Sequence, residues 1–129
     1  MLRYIKGTLH LSLFFGASGQ GISNFSLEGY ADADFGGSED SKSTSGFLFK
    51  LNDCLVLWST KKQETVALST CEAEYVSLTL AASDLLWLEK LLADFQVDLV
   101  KPSVIFEDNQ SCIESLKRPE HRRLKHMNI

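Results

Sequence analysis

Over residues 25–34 and 46–51 apolar side chains recur at every second position, residues 54–59 form a further short apolar run, and from residue 69 to residue 95 apolar side chains recur at every third or fourth. A period of two marks strands with one buried face, and a period near 3.6 marks a helix with one buried stripe. The chain therefore builds several strands first, then a long helix, and the apolar run that follows the helix adds a strand–helix–strand unit, which makes it an α/β domain. Its 129 residues suffice for one core but not for two.

In residues 25–34, Phe25, Leu27, Gly29 and Ala31 share one strand face, and Ser26, Glu28, Tyr30, Asp32 and Asp34 the other. Asp32 and Asp34 thus project to the same side, just before the strand breaks at Gly36-Gly37. Phe47, Phe49 and Leu51 give a second strand over residues 46–51, Asn52-Asp53 turn the chain, and residues 54–59 give a third. Such short connections predict an antiparallel meander. Upstream, Leu9, Leu11 and Leu13 alternate with His10 and Ser12 before Phe14-Phe15, which is again a strand period. Residues 16–24 are loop-like in composition, and residues 1–8 carry helical spacing too short to stand alone.

Ser69 with Glu72 three residues on fits a capping box. Cys71, Tyr75, Leu78, Ala81, Leu85, Leu88, Leu92 and Phe95 then define one stripe along a helix that Pro102 prevents from continuing. Val104-Ile105-Phe106 is a short apolar run, as expected of a parallel strand buried on both faces. Strand, helix and strand together predict a right-handed crossover back to the sheet. Asn109 or Ser111 can cap a further short helix that ends before Pro119.

These elements bring acids together. At 100° per residue Glu74 falls within the apolar stripe, while Glu72 lies on the far side as a surface or capping acid. An ionised carboxylate turned toward a sheet is costly unless a cation compensates it. Asp108 stands at the carboxyl end of the 104–106 strand, the usual place for a ligand or catalytic group in open α/β sheets. If that strand lies beside the first, Asp32 sits across from Asp108 and Glu74 arrives from the helix above. Three converging oxygen ligands suit Mg²⁺ or Mn²⁺ rather than zinc. Taken singly, each acid has an ordinary alternative: Asp32 a turn residue, Asp108 a helix cap, Glu74 a half-buried acid paired to Lys61 or Lys62. Taken jointly, those alternatives require three independent coincidences of placement. Asp34 is the competitor of Asp32.

Other chemistries find little support. Cys54, Cys71 and Cys112 form no CxxC or Cys/His pattern, His10, His121 and His126 are scattered, and no Gly-x-Ser-x-Gly elbow occurs. Lys42-Ser43-Thr44-Ser45-Gly46 lacks the glycine spacing of a P-loop and leads into a strand. No apolar run reaches the roughly 18 residues of a membrane helix, and no charged-then-apolar leader is present, so a cytoplasmic or nuclear setting is expected. The net charge of −4 argues against a nucleic-acid coating protein. Residues 117–125 nevertheless hold five positive charges and one negative, a local footprint for phosphate or simply a solvated segment.

The series Leu2-Arg3-Tyr4-Ile5-Lys6-Gly7-Thr8, Gly29-Tyr30-Ala31-Asp32-Ala33-Asp34-Phe35, Lys42-Ser43-Thr44-Ser45-Gly46, Trp58-Ser59, Lys61-Lys62-Gln63, Ser69-Thr70-Cys71-Glu72-Ala73-Glu74-Tyr75, Glu107-Asp108-Asn109-Gln110 and Lys125-His126-Met127-Asn128-Ile129 resembles the RNase H region of copia-type retrotransposon Pol polyproteins. The resemblance covers nearly the whole chain, in order. It implies an RNase H-like fold with a mixed sheet of strand order 3-2-1-4-5 and helices packed on it. It also implies cleavage of the RNA strand of RNA–DNA hybrids, with a reverse transcriptase domain upstream. The family's acidic set falls on Asp32, Glu74 and Asp108, with Asp32 as the ligand bridging two Mg²⁺ ions about 4 Å apart. Lys61, Lys62 and residues 117–125 would then hold the hybrid backbone, and Asp34 would tune Asp32.

The chain departs from the family pattern at Phe35, where tryptophan is usual, and at Asn128, where aspartate is usual. The family's fifth strand and fourth catalytic aspartate would follow Ile129. The expected organisation is therefore a reverse transcriptase tail over residues 1–8 and an RNase H-like domain over residues 9–129, truncated at its C-terminus to strand order 3-2-1-4. Catalysis by such a fragment would be impaired. A non-catalytic binding module and an inactive remnant are the alternatives.

Overall fold

The structure, a computed structural model, describes residues 2–16, 24–37 and 39–117. A short helix α1 (Leu2–Gly7) with no buried residue comes first. Strands β1 (Leu27–Asp34), β2 (Thr44–Leu51) and β3 (Cys54–Lys62) follow, then helix α2 (Thr70–Asp94), strand β4 (Val104–Phe106) and helix α3 (Gln110–Lys117). The three alternating segments form the expected antiparallel meander. β2 and β3 each extend beyond the expected bounds, β3 by three residues as far as Lys62.

The meander turns where Asn52 and Asp53 both take left-handed backbone angles, with φ of 47° and 66°. Two such residues match the twist of a tight hairpin. Asn52 also ties the turn to the start of β1, its Oδ1 accepting the Ser26 N–H at 2.8 Å and its own N–H donating to the Ser26 carbonyl at 3.0 Å. After α2, β4 returns parallel to β1, pairing Glu28, Gly29 and Tyr30 with Val104, Ile105 and Phe106. The result is a four-stranded mixed sheet of order β3-β2-β1-β4, with β1 central.

Helix α2 covers one face of this sheet. Leu27, Ala31, Phe47 and Phe49 meet Ala81 and Leu88, with Leu78, Leu85, Leu92 and Ile105 packed around them. Gly29 belongs to the same layer, and a Cβ there would run into the Phe49 ring. The helix begins with half of the predicted capping box: Ser69 Oγ accepts the Glu72 N–H at 3.2 Å, while Glu72 Oε2 reaches one residue further back and accepts the Leu68 N–H at 2.8 Å. Glu72 is buried in doing so, and is not a surface acid. The helix's buried positions, Ala73, Glu74, Ser77, Ala81 and Leu88, lie slightly to one side of the expected stripe, leaving Cys71 and Tyr75 half-buried and Phe95 exposed.

Two expectations fail. Residues 9–15 have the strand period but form no strand, and Leu9, Leu11, Leu13, Phe14 and Phe15 are all largely exposed; among the described residues no strand pairs with them. β4 is not buried on both faces: Ile105 packs against the core, whereas Val104 and Phe106 are exposed. Phe106 belongs to a row that crosses the sheet's open face in register, Phe106, Tyr30, Leu48 and Trp58. Tyr30 and Phe106 stack with ring centroids 5.0 Å apart, and the Lys50 ammonium lies 5.2 Å from the Tyr30 centroid. An open groove of about 600 Å³ runs over this face from Trp58 to Asp32, with Leu13 on its wall.

Candidate metal centre

Asp32 lies near the end of β1, Glu74 one turn into α2, and Asp108 two residues past β4. Parallel pairing of β4 with β1 carries Asp108 to the same end of the sheet as Asp32, and α2 crosses above both. One carboxylate oxygen from each of the three lies within 4.8 Å of the others. Asp32 and Asp108 are exposed and Glu74 is buried. The structure thus brings together the three acids singled out from the sequence.

Glu74 carries the electrostatic strain of the cluster. Its Oε2 is buried with no hydrogen-bond partner. Burial first, then the charges of Glu107, Asp32 and Asp108, push its pKa up to about 7, against the smaller opposing effect of the Ala33 backbone N–H. A buried acceptor with nothing to accept from, facing two further carboxylates, is a site a cation would stabilise. An all-oxygen donor set of this kind fits Mg²⁺ or Mn²⁺.

The remaining candidates are placed elsewhere. Asp34 is exposed and outside the convergent set, and its carboxylate lies against Gly37, where a Cβ would collide with it. Lys62 pairs with Asp40 at 2.8 Å and Lys61 with Glu64 at 3.6 Å, so the lysines considered as partners of Glu74 have other partners. Of the basic segment only Lys117 is described, bonded to Glu114 at 2.9 Å; residues 118–125 lie outside the described residues. Asn109, not Ser111, caps α3, its Oδ1 accepting the Cys112 N–H at 3.0 Å. The Lys42-to-Gly46 segment serves structure: Ser43 and Ser45 are buried, and Ser43 Oγ accepts the Gly36 N–H at 3.2 Å, tying the loop after β1 to the start of β2.

One acid went unnoticed in the sequence. Glu107 precedes Asp108 and so faces the helices, where it raises the pKa of Glu74. Its Oε1 accepts the Asn109 N–H at 2.9 Å, its Oε2 is buried without a partner, and burial raises its own pKa. Strand alternation from Asp108 was the available signal. Behind it Cys112 is fully buried, which pushes its thiol up to about 12.

No family model matches the chain, and no solved structure matches it. Over its full length it is 37% identical, across 131 aligned residues, to the "Retrovirus-related Pol polyprotein from transposon TNT 1-94" of Nicotiana tabacum. It is 35% identical, also over its full length, to the corresponding polyprotein from transposon RE1 of Arabidopsis thaliana. A third relative, "Secreted RxLR effector protein 161" of Plasmopara viticola, is 46% identical over 89 residues, covering 68% of this chain and 60% of the relative. The chain spans 9% of the length of each of the two polyproteins. Over its whole length, the chain is homologous to one segment of the retrovirus-related Pol polyproteins of plant transposons.

Proposed function

We propose that this chain is the ribonuclease H segment of a retrotransposon Pol polyprotein, hydrolysing the RNA strand of RNA–DNA hybrids with the help of Mg²⁺ or Mn²⁺. The observation that carries the proposal is the convergence of Asp32, Glu74 and Asp108 within 4.8 Å around a buried oxygen that has no partner. Full-length homology to Pol polyproteins, with the motif resemblance, supports placing the segment beside a reverse transcriptase.

Asp32, Glu74 and Asp108 would hold the cation. Ions bound by such carboxylates polarise phosphoryl oxygens and lower the pKa of water, which is what phosphodiester hydrolysis requires. Asp32 and Asp108, being exposed, would meet the phosphate, with buried Glu74 beneath them. Asp34, Thr44 and Lys62 lie in register, so the lysines ending β3 share the acids' end of the sheet and suit contact with the hybrid backbone.

Cleavage of a hybrid with a labelled RNA strand, in Mg²⁺ or Mn²⁺, tests the proposal on this chain and on a version extended with the polyprotein sequence that follows it. At least one of the two should cut, and Asp32→Asn should reduce cutting at least 100-fold. Equal cutting by Asp32→Asn would overturn the site. Hybrid binding without cutting by either version would favour a non-catalytic module.

A further inference from the structure

The turn of α2 that carries Glu74 is fastened to the sheet by a chain of buried polar groups that no role in metal binding accounts for directly. Ser77 is fully buried, and its Oγ donates to the Asp32 backbone carbonyl at 2.7 Å, with the Gly46 carbonyl 3.2 Å away. A serine inside a helix ordinarily bonds back to the carbonyl four residues earlier. Thr79 on the same helix does so, donating to Tyr75 at 2.8 Å.

For Ser77 the corresponding acceptor would be the Ala73 carbonyl, and a different donor faces it. Buried Gln63, just past β3, donates from Nε2 to Ala73 at 2.9 Å and to Ser45 Oγ on β2 at 2.9 Å. A carbonyl can only accept, so the amide must turn its Nε2 toward Ala73, which leaves Oε1 without a partner. Gln63 thereby occupies the Ala73 carbonyl while the Ser77 hydroxyl reaches the sheet. It reaches the sheet at Asp32, whose side chain belongs to the acidic set, while Glu74 stands three residues before Ser77 on the same helix.

We infer that Ser77 and Gln63 are positioning residues, fixing the separation of Asp32 and Glu74 and so setting the centre's affinity for a divalent cation; the inference rests on the metal-binding reading of the three acids. Neither touches the ion. Each acts through backbone carbonyls, Ser77 through Asp32 and Gln63 through Ala73, next to Glu74. Outer groups of this kind alter metal affinity about 10- to 100-fold when removed.

The test is Mn²⁺ titration of the full chain by calorimetry, alongside thermal unfolding of each variant by circular dichroism. Ser77→Ala should weaken Mn²⁺ binding at least about 10-fold, and Ser77→Thr, which keeps the hydroxyl, should restore it to within about threefold of the parent. Gln63→Met should weaken binding too, and the double variant should bind no more weakly than the worse single, as expected of residues acting in one network. Should Ser77→Ala fail to fold, Gln63→Met carries the same comparison with Ser77 intact. Affinity within twofold of the parent in the folded variants, with only the unfolding temperature lowered, would overturn the inference. Asp32→Asn separates that result from failure of the metal centre itself: Mn²⁺ binding undiminished in Asp32→Asn would sink the metal reading and the positioning role together. Binding that needs Asp32 but ignores Ser77 and Gln63 would sink the positioning role alone.

Discussion

Glu74 is protonated over a pH range in which an ordinary glutamate is not. In the metal-free protein the native state keeps a proton up to about pH 7 that the unfolded chain releases near 4.5. The native state binds the extra proton in that window, so its stability is greatest below it and is lost as pH rises through it, by roughly 1–3 kcal/mol. Urea unfolding in EDTA should therefore show a midpoint that falls between about pH 4.5 and 7. Glu74→Gln should make the profile shallower, leaving the fall of the same sign that the raised pKa of Glu107 contributes, and Mg²⁺ or Mn²⁺ should raise the midpoint most at the alkaline end. A second outcome concerns Cys112, fully buried with its thiol pushed up to about 12. It should resist alkylation at neutral pH until the chain unfolds, which mass spectrometry of native and urea-treated protein will read. At this scale the sequence marked Asp32, Glu74 and Asp108 through strand end, helix phase and strand end. It did not mark Glu107, Gln63 or Ser77, whose importance lies in which neighbour each one faces.

Helix α2 and the β2–β3 turn are the elements whose local chemistry most directly states their structure. Ser69 closes the start of α2 by accepting the Glu72 N–H, and Glu72 in turn accepts the Leu68 N–H, so Ser69→Ala should cost about 1 kcal/mol. In the turn, Asn52 and Asp53 are both left-handed, but only Asn52 bonds across to Ser26. Asp53→Gly should raise stability by roughly 0.5–1 kcal/mol by removing a side chain from a backbone region that favours glycine, whereas Asn52→Gly should gain less because it gives up that bond. Both effects are readable as shifts in urea midpoint. Strands β1, β2 and β3 were legible because each alternates against a partner only a short turn away. Residues 9–15 alternate equally well and pair with no strand among the described residues, since periodicity reports what a segment can bury and not whether a neighbour exists. The same blind spot made β4 look doubly buried, when one of its faces, carrying Val104 and Phe106, is exposed.

Across the whole molecule, α2 covers one sheet face, while the other carries the aromatic row and its groove. The meander followed from connection lengths, and the place of β4 beside β1 from the resemblance; the exposure of that second face did not, because alternation in β1 and β3 reads alike whether the outer side meets water or another layer. The face should accordingly behave as surface. Trp58→Thr should change stability by less than about 0.5 kcal/mol while reducing binding of a hydrophobic dye to the native protein. The placement of Trp58 and Trp87, the chain's two tryptophans, also decides how its folding can be watched. Both indoles are more than half exposed, at 61% and 53%, so their emission in the native state already resembles that of solvated tryptophan. Intrinsic fluorescence is thus a poor reporter of unfolding for this protein, and backbone circular dichroism or Cys112 accessibility will serve instead.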